Sequence, residues 1–246
     1  MRSKFQPVII FVLLALIFSG CSIPSKLIDV RGSGLIRSET RDISGFNSIE
    51  FSGIGSLTII QGNEEYLQIE AEENLISHIE SVVRAGKLSI GFKDQINLIP
   101  SKDILFTLSV KDIQKLEVSG LGYVFSSQLS VDKLNVYSSG SSQVNLNGLT
   151  GNELKIEISG AGIFKIDGIV DSQSIEVSGA GVYDAANFRS KTAKITISGA
   201  GSAILWVENT LNAELSGVTS LRYFGKPSLV KRVSGIARIE ELGLHP

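Results

Sequence analysis

Seven Ser-Gly pairs, beginning at Ser119, Ser139, Ser159, Ser178, Ser198, Ser216 and Ser234, recur at intervals of 20, 20, 19, 20, 18 and 18 residues. So short and regular a period restricts the chain to a stacked architecture, because one unit cannot bury its own apolar face without its neighbours. Aligned on the serine, the units carry Val118, Ser138, Ile158, Val177, Ile197, Leu215 and Val233 one position earlier. Three positions before the serine lie Leu116, Val136, Ile156, Ile175, Ile195, Ala213 and Lys231. Five positions after it come Val124, Val144, Phe164, Tyr183, Ala203, Leu221 and Ile239. Alternation with period two on both sides of the Ser-Gly predicts two short strands per unit, each with one face inward. Ten residues after the serine, Leu129, Leu149, Ile169 and Phe188 are expected to close the coil.

The glycines of Ser-Gly-x-Gly belong at the corner between the two strands, where φ > 0 costs glycine nothing. The fold class is therefore all-β, a single-stranded parallel β-helix with about 19 residues per coil, running from residue 115 to 243. Its hydroxyl column is expected to be a hydrogen-bonded serine ladder that caps backbone groups at the corners. Two units depart from the pattern: Ser138 stands at an inward apolar position, and Gly217-Val218-Thr219 lacks the second glycine. Looser corners are expected there. The charged residues Arg238, Glu240 and Glu241 are read as a cap on the last coil.

Residues 41–114 repeat the pattern once and then leave it. Phe46 to Gly62 places Ile49, Phe51, Ser52-Gly53, Leu57 and Ile59 at the offsets of one further coil. Beyond it, a strand is predicted over 66–72, a short helical turn within 74–81, a hairpin over 82–90 turning at Ala85-Gly86-Lys87, and a strand over 104–110. This less regular β subregion is expected to pack beneath the coils as one continuous domain with them, over 41–243.

The chain opens with Arg2 and Lys4, an apolar run from Val8 to Phe18, then Ser19-Gly20-Cys21. Eleven apolar residues fall short of the roughly 20 needed to span a bilayer, so residues 1–20 read as a secretory signal peptide. The chain's only cysteine follows it, a placement that resembles a bacterial lipobox, with Cys21 acylated as a palmitate-bearing membrane anchor. Residues 21–40 read as the lipidated cysteine and a flexible tether. Ser22, rather than Asp, points to the outer membrane, with the periplasmic or the surface face left open. Loss of Arg2 and Lys4 takes the formal charge from −2 to about −4, which excludes the basic footprint of a nucleic-acid binder.

Phe46 to Gly62, the hairpin, the successive Ser-Gly-x-Gly corners and a final Tyr223-Phe224-Gly225-Lys226-Pro227 together resemble the head GIN domain proteins, the putative auto-transporter adhesins. The likeness covers roughly residues 40 to 240. It implies a right-handed β-helix and an envelope location, and it brings no known catalytic residues.

Three groups of side chains are candidates for chemistry. The serine column has no histidine near it in sequence, since His78 and His245 are the only two, so a Ser-His nucleophile is poorly supported. Glu157 and Glu176, outward on adjacent coils, form a candidate acidic pair for Ca²⁺ or acid/base work. Lys115, Lys155 and Lys194 in the next column offset that charge, and a solvated face is the plainer reading. Tyr123, Phe125, Ile163, Val182 and Ile204 make an outward apolar patch. The N-terminal subregion is expected to cover it; the alternative is a face for a partner or for self-association.

No catalytic residue, metal site or cofactor is assigned. A non-catalytic, lipid-anchored binding or adhesion module for a protein or glycan ligand is the leading reading, followed by a self-associating envelope scaffold. A carbohydrate-active β-helix enzyme is third, because coils of 18 to 20 residues leave no insertion to wall a cleft.

Overall fold

The computed structural model describes residues 27–246. The signal peptide, Cys21 and the first residues of the tether lie outside the described residues. The described residues are nearly all β, 80% strand and 2% helix, which settles the fold class at that level.

Strands β9 (Lys115–Ser126), β10 (Leu129–Phe224) and β11 (Ser228–Glu241) carry the repeat. Laid straight, the 96 residues of β10 would run for about 320 Å at ~3.3 Å each, so the strand winds back upon itself. Parallel pairing sets the pitch: Leu116 lies beside Val136, and Leu211 beside Leu229. Ser119 sits beside Ser139, and Ser216 beside Ser234, so equivalent positions stack on one another. Between those ends the corner glycines mark the same winding. A Cβ on Gly179, whose φ is 138°, would stand 2.5 Å from the carbonyl oxygen of Gly160, and one on Gly160 2.6 Å from that of Gly140. Only glycine permits rungs to approach so closely at the corner.

The inward columns are buried as the alternation requires: Leu116, Val136, Ile156, Ile195, Phe164 and Tyr183 are all fully enclosed. Within β9 and β10 one position differs, while on β11 the inward Lys231 and Val233 are exposed. Ile169 is 38% exposed and Val170 takes its place in the core. The interval there is 19 residues, and Gly168, at φ 123°, lies directly over Leu149, which shifts the following residues by one. Polar side chains also enter the core. The Tyr183 hydroxyl donates to Gln173 Oε1 (2.9 Å), Gln173 Nε2 donates to Ser190 Oγ (2.8 Å), and Ser190 Oγ donates to the Trp206 carbonyl (3.3 Å).

The atypical corners resolve differently. Ser142 stands where other units have their second glycine, and its hydroxyl meets that of Ser138 at 2.5 Å across the corner. Two buried hydroxyls thus satisfy each other. Thr219 is buried at the same corner position, and its hydroxyl has no partner among the described residues.

Strand β3 (Ser48–Gln61) pairs in parallel with β9, Ser52 beside Ser119 and Gly53 beside Gly120. Beneath it the rung splits in two: β6 (Lys87–Phe92) pairs with residues 48–51, and β8 (Leu105–Val110) with residues 56–61, both in parallel. Antiparallel strands then end the stack. β5 (Ile79–Arg84) lies on β6, β4 (Tyr66–Glu72) on β8, and β2 (Ile36–Asp42) on β4. The β5–β6 turn is Ala85-Gly86, with φ of 49° and 78°, the two-residue geometry that matches strand twist. A single helical turn, α1 (Glu73–Ile76), buries Leu75 and Ile76 at this end.

The tether assignment is corrected from residue 28 onward. β1 (Ile28–Arg31) pairs in parallel with β7 (Ile96–Ile99), and β2 is a seven-residue edge strand. An edge strand needs no apolar face; β2 is held by its ladder to β4 and by Arg41, which donates to the Ile79 carbonyl and to Ser81 Oγ, both at 3.0 Å. The expected cap is corrected as well. Arg238, Glu240 and Glu241 belong to β11 itself and leave Val230, Val233 and Ile236 exposed on it. After Glu241 the chain turns back along the side of the stack, where the His245 ring stacks on Trp206 with centroids 4.0 Å apart.

Candidate binding face

Residues two and four positions after each repeat serine point outward from the strand that follows the corner. Equivalent positions on successive rungs therefore form columns. The column at four positions reads Tyr123, Gln143, Ile163, Val182, Ser202, Ser220 and Arg238, so three of seven members are apolar or aromatic, all in its first four rungs. Tyr123 is 58% exposed, Ile163 52% and Val182 42%. Phe125, two residues further along β9, is exposed too, whereas Ile204 is half-buried.

The expected cover by the N-terminal subregion is absent. Its strands continue the stack below β3 and do not fold over this side, because β6 and β8 take up the hydrogen-bonding edge of β3 instead. From the subregion, Ile54 to Ser56 of β3 and the loop from Pro100 to Ile104 reach the edge of the patch. The loop walls a groove of about 570 Å³ whose other side is Leu121, Tyr123, Ser142, Gln143 and Ile163. A second depression, of about 550 Å³, gathers Val182 and Ile204 with Ser220, Arg222, Arg238 and Glu240. The five residues anticipated from the sequence are thus divided: Tyr123 and Ile163 meet in the first groove, Val182 and Ile204 in the second, and Phe125 lines neither.

Leu121 and the Pro100–Ile104 loop are the parts that sequence reading missed. Leu121, 60% exposed, follows the outward alternation and was recoverable from it. The loop was not, since its position depends on a distant carboxylate. Glu72 is almost fully buried and accepts from the Ser101 N–H (2.8 Å), the Ser101 hydroxyl (2.6 Å) and the Gly34 N–H (2.6 Å). The Ser101 hydroxyl is the main cause that holds the Glu72 carboxyl below its ordinary value; the Ser101 and Gly34 N–H groups add to it, while burial opposes. Gly32 is required beside it, because a Cβ there would overlap the carboxylate.

The opposite strand of each rung carries charge. Lys155 Nζ binds Glu157 Oε1 at 2.6 Å, Lys115 binds Glu117 at 2.6 Å, and Lys87 binds Glu50 at 2.6 Å. Tyr137 lies between Lys115 and Lys155, its ring centroid 5.0 and 6.0 Å from their ammonium groups. The Lys155 ammonium is pulled up chiefly by its hydrogen bond to Glu157, with the charge of Glu176 a lesser cause. Lys155 is thus paired with Glu157 and also feels the charge of Glu176, which leaves the candidate pair one net negative charge. Among the described residues no group of three or more His, Cys, Asp or Glu is placed to hold a metal.

The serine ladder is a correction. Among the described residues the seven repeat hydroxyls make no hydrogen bond to protein, and six of the seven side chains are exposed. Their rungs are already held by main-chain pairing, which leaves the hydroxyls to solvent. Ser52, in the first rung, alone donates to a carbonyl, that of Ile90 at 3.3 Å. Neither histidine approaches the column: His245 sits on Trp206, and His78 follows α1 at the other end of the stack. Among the described residues, no helix is long and apolar enough to cross a membrane.

Three solved structures share the fold. A putative adhesin from Bacteroides fragilis has 21% sequence identity and a TM-score of 0.83, covering 87% of this chain and 100% of its own. A putative lipid binding protein from Parabacteroides distasonis has 20% identity and a TM-score of 0.70, with the same coverage. A putative adhesin from the same organism has 18% identity and a TM-score of 0.68, again covering 87% and 100%. No curated protein matches the chain. Residues 45–227 match the family described as "Putative auto-transporter adhesin, head GIN domain", and the chain belongs to that family.

Proposed function

We propose that this protein is a non-catalytic binding module of the cell envelope, anchored through acylated Cys21 at the outer membrane and offering its apolar side face to a protein or glycan ligand. The frame for that face is a right-handed parallel β-helix of about 19 residues per coil, continuous with its N-terminal subregion as one head GIN domain over 41–243. The observation that carries the reading is the uncovered column of Tyr123, Ile163 and Val182, with a groove walled by the Pro100–Ile104 loop along part of it. Exposed apolar residues gathered along one face are costly to leave in water, at ~25 cal/mol per Å². Lys102 and Asp103 at the rim add polar groups that would orient a ligand. The lysine-paired carboxylates and the histidine-free serines favour binding over catalysis.

The test uses immobilised mucin as the glycan probe and immobilised collagen as the protein probe. Saturable binding to one of them is expected, weakened tenfold or more in Tyr123→Ser/Ile163→Ser with thermal stability unchanged. Equal binding by the variant removes the face, and no saturable binding to either probe removes adhesion. Two companion measurements test the address: palmitate labelling that is lost in Cys21→Ser, and digestion by protease added to intact cells.

A further inference from the structure

The two ends of the stack are built differently. At the N-terminal end the parallel rungs give way to antiparallel β5, β4 and β2, with α1 plugging the core. At the C-terminal end no further strand stacks on β11 among the described residues, and residues 242–246 turn back to the rung before it, Leu242 N–H donating to the Tyr223 carbonyl. Its 14 residues pair with β10 on one edge only, so about half of its amide groups face outward from the stack. Val230 is 57% exposed, Val233 48% and Ile236 75%, although Val233 continues the inward column of Leu215. An open parallel edge over an apolar cross-section is a template for another strand.

The sequence of β11 identifies its occupant. Lys231 and Arg232 precede the corner, and Glu240 and Glu241 follow it. A two-fold axis through the corner turns a second copy end for end and sets the arm before its corner against the arm after the first copy's corner, antiparallel. When Ile236 lies on the axis, Arg232 faces Glu240, Lys231 faces Glu241 and Val233 faces Ile239. Inward positions then meet inward positions, as the pleat demands. Moving the axis to Gly235 sets Arg232 against Arg238, a like-charge pair that disfavours that register.

We propose that β11 pairs antiparallel with β11 of a second copy, in the register centred on Ile236, to form a closed two-fold dimer across the C-terminal ends of the stacks. Pairing satisfies the open edge, covers Val233 and Ile239, and joins cations to carboxylates on both sides of the axis. Closure follows from symmetry, because each copy has a single open end. The two N-terminal ends leave in opposite directions. With the Cys21 anchor proposed above, that arrangement suits contact between two opposed surfaces.

The experiment takes the full-length protein, purified in mild detergent. Ile236→Cys places a cysteine opposite its own symmetry mate at a Cα separation of about 4.5–5.5 Å, within disulfide range. Mild oxidation is expected to convert most of the chain to a covalent dimer, whereas Val182→Cys on the side face should form no covalent dimer. Arg232→Glu and Glu240→Arg should each weaken self-association, by analytical ultracentrifugation, at least tenfold relative to wild type. Mixed together, the two variants should associate again, since both interfacial pairs then carry opposite charges. That rescue also demonstrates that each variant is folded. A monomeric wild type at about 100 μM, cross-linking of Val182→Cys as efficient as that of Ile236→Cys, or a mixture that stays monomeric overturns the proposal. So does an open series of higher oligomers. These readouts are independent of mucin or collagen binding, so the dimer and the side-face reading fail separately.

Discussion

Replacing Tyr183 with Phe removes one oxygen from the middle of the core and tests whether the buried polar chain is structural. Tyr183 is fully enclosed, and its hydroxyl donates to Gln173 Oε1 at 2.9 Å. Burial pushes the phenol well above its ordinary value, so the group is a neutral donor at any pH at which the protein is studied. Without that hydroxyl, Gln173 Oε1 loses its donor while the Gln173 amide stays held by Ser190 at 2.8 Å. A buried acceptor left without a partner costs about 1–3 kcal/mol. For a domain of this size that is a fall in Tm of roughly 2–12 °C, at ~2–4 °C per kcal/mol. Urea unfolding followed by circular dichroism, extrapolated linearly to water, measures the loss directly. Tyr123→Phe, at an exposed position, should stay within about 0.5 kcal/mol of wild type. Adding Gln173→Leu to Tyr183→Phe removes the stranded acceptor, so the double variant should be less destabilised than the sum of the two singles. A Tyr183→Phe protein as stable as wild type, or strictly additive singles, refutes the role given to this chain of hydrogen bonds.

The register predicts a contrast between neighbours: Ile156→Asp buries a charge in the stack and should prevent folding, while Glu157→Ala, losing only a half-exposed ion pair with Lys155, should cost at most about 1 kcal/mol. Equal tolerance of the two changes in urea unfolding would mean the inward and outward faces are misassigned. Glu72 predicts an acid dependence. Its folded carboxyl is held below the ordinary 4.5, chiefly by the Ser101 hydroxyl, so its stabilisation is complete above that pH and fades as the pH falls toward the folded value. Glu72→Gln should flatten that part of the stability profile, and an unchanged profile would remove Glu72 as its source.

The repeated half was legible because each rung obeys the same two constraints, an inward apolar residue at every second position and a glycine where successive corners touch. Where those constraints change, the sequence misleads. Ile169 fits the ten-residue offset, yet Gly168 consumes one residue by lying flat on Leu149, and Val170 enters the core instead. Gln173 and Ser190 occupy buried positions that alternation assigns to apolar side chains; the hydrogen-bonded chain from Tyr183 through both to the Trp206 carbonyl explains them, and its central bond joins residues 17 apart. Strand β2 is polar because it is an edge, so composition alone resembled a tether. The apolar column of the binding face was visible from spacing, but its opposite wall was not. Ser101 is fixed by Glu72 from 29 residues away, and no local pattern announces a contact of that range.

The second depression links the side face to the open end. Arg238 and Glu240 line it and also belong to β11, while Val182, Ile204 and Arg222 belong to rungs below. A two-fold contact at β11 would set Arg232 of the second copy against Glu240, at the rim of that depression. A ligand seated there would touch both copies, and by linkage it would strengthen the dimer by the same factor by which the dimer strengthens its binding. The groove at Tyr123 lies near the capped end, close to Ile54 and the Pro100–Ile104 loop, and has no such coupling. One ligand at each depression would therefore give two signatures: affinity at Val182 that rises with protein concentration, and affinity at Tyr123 that does not.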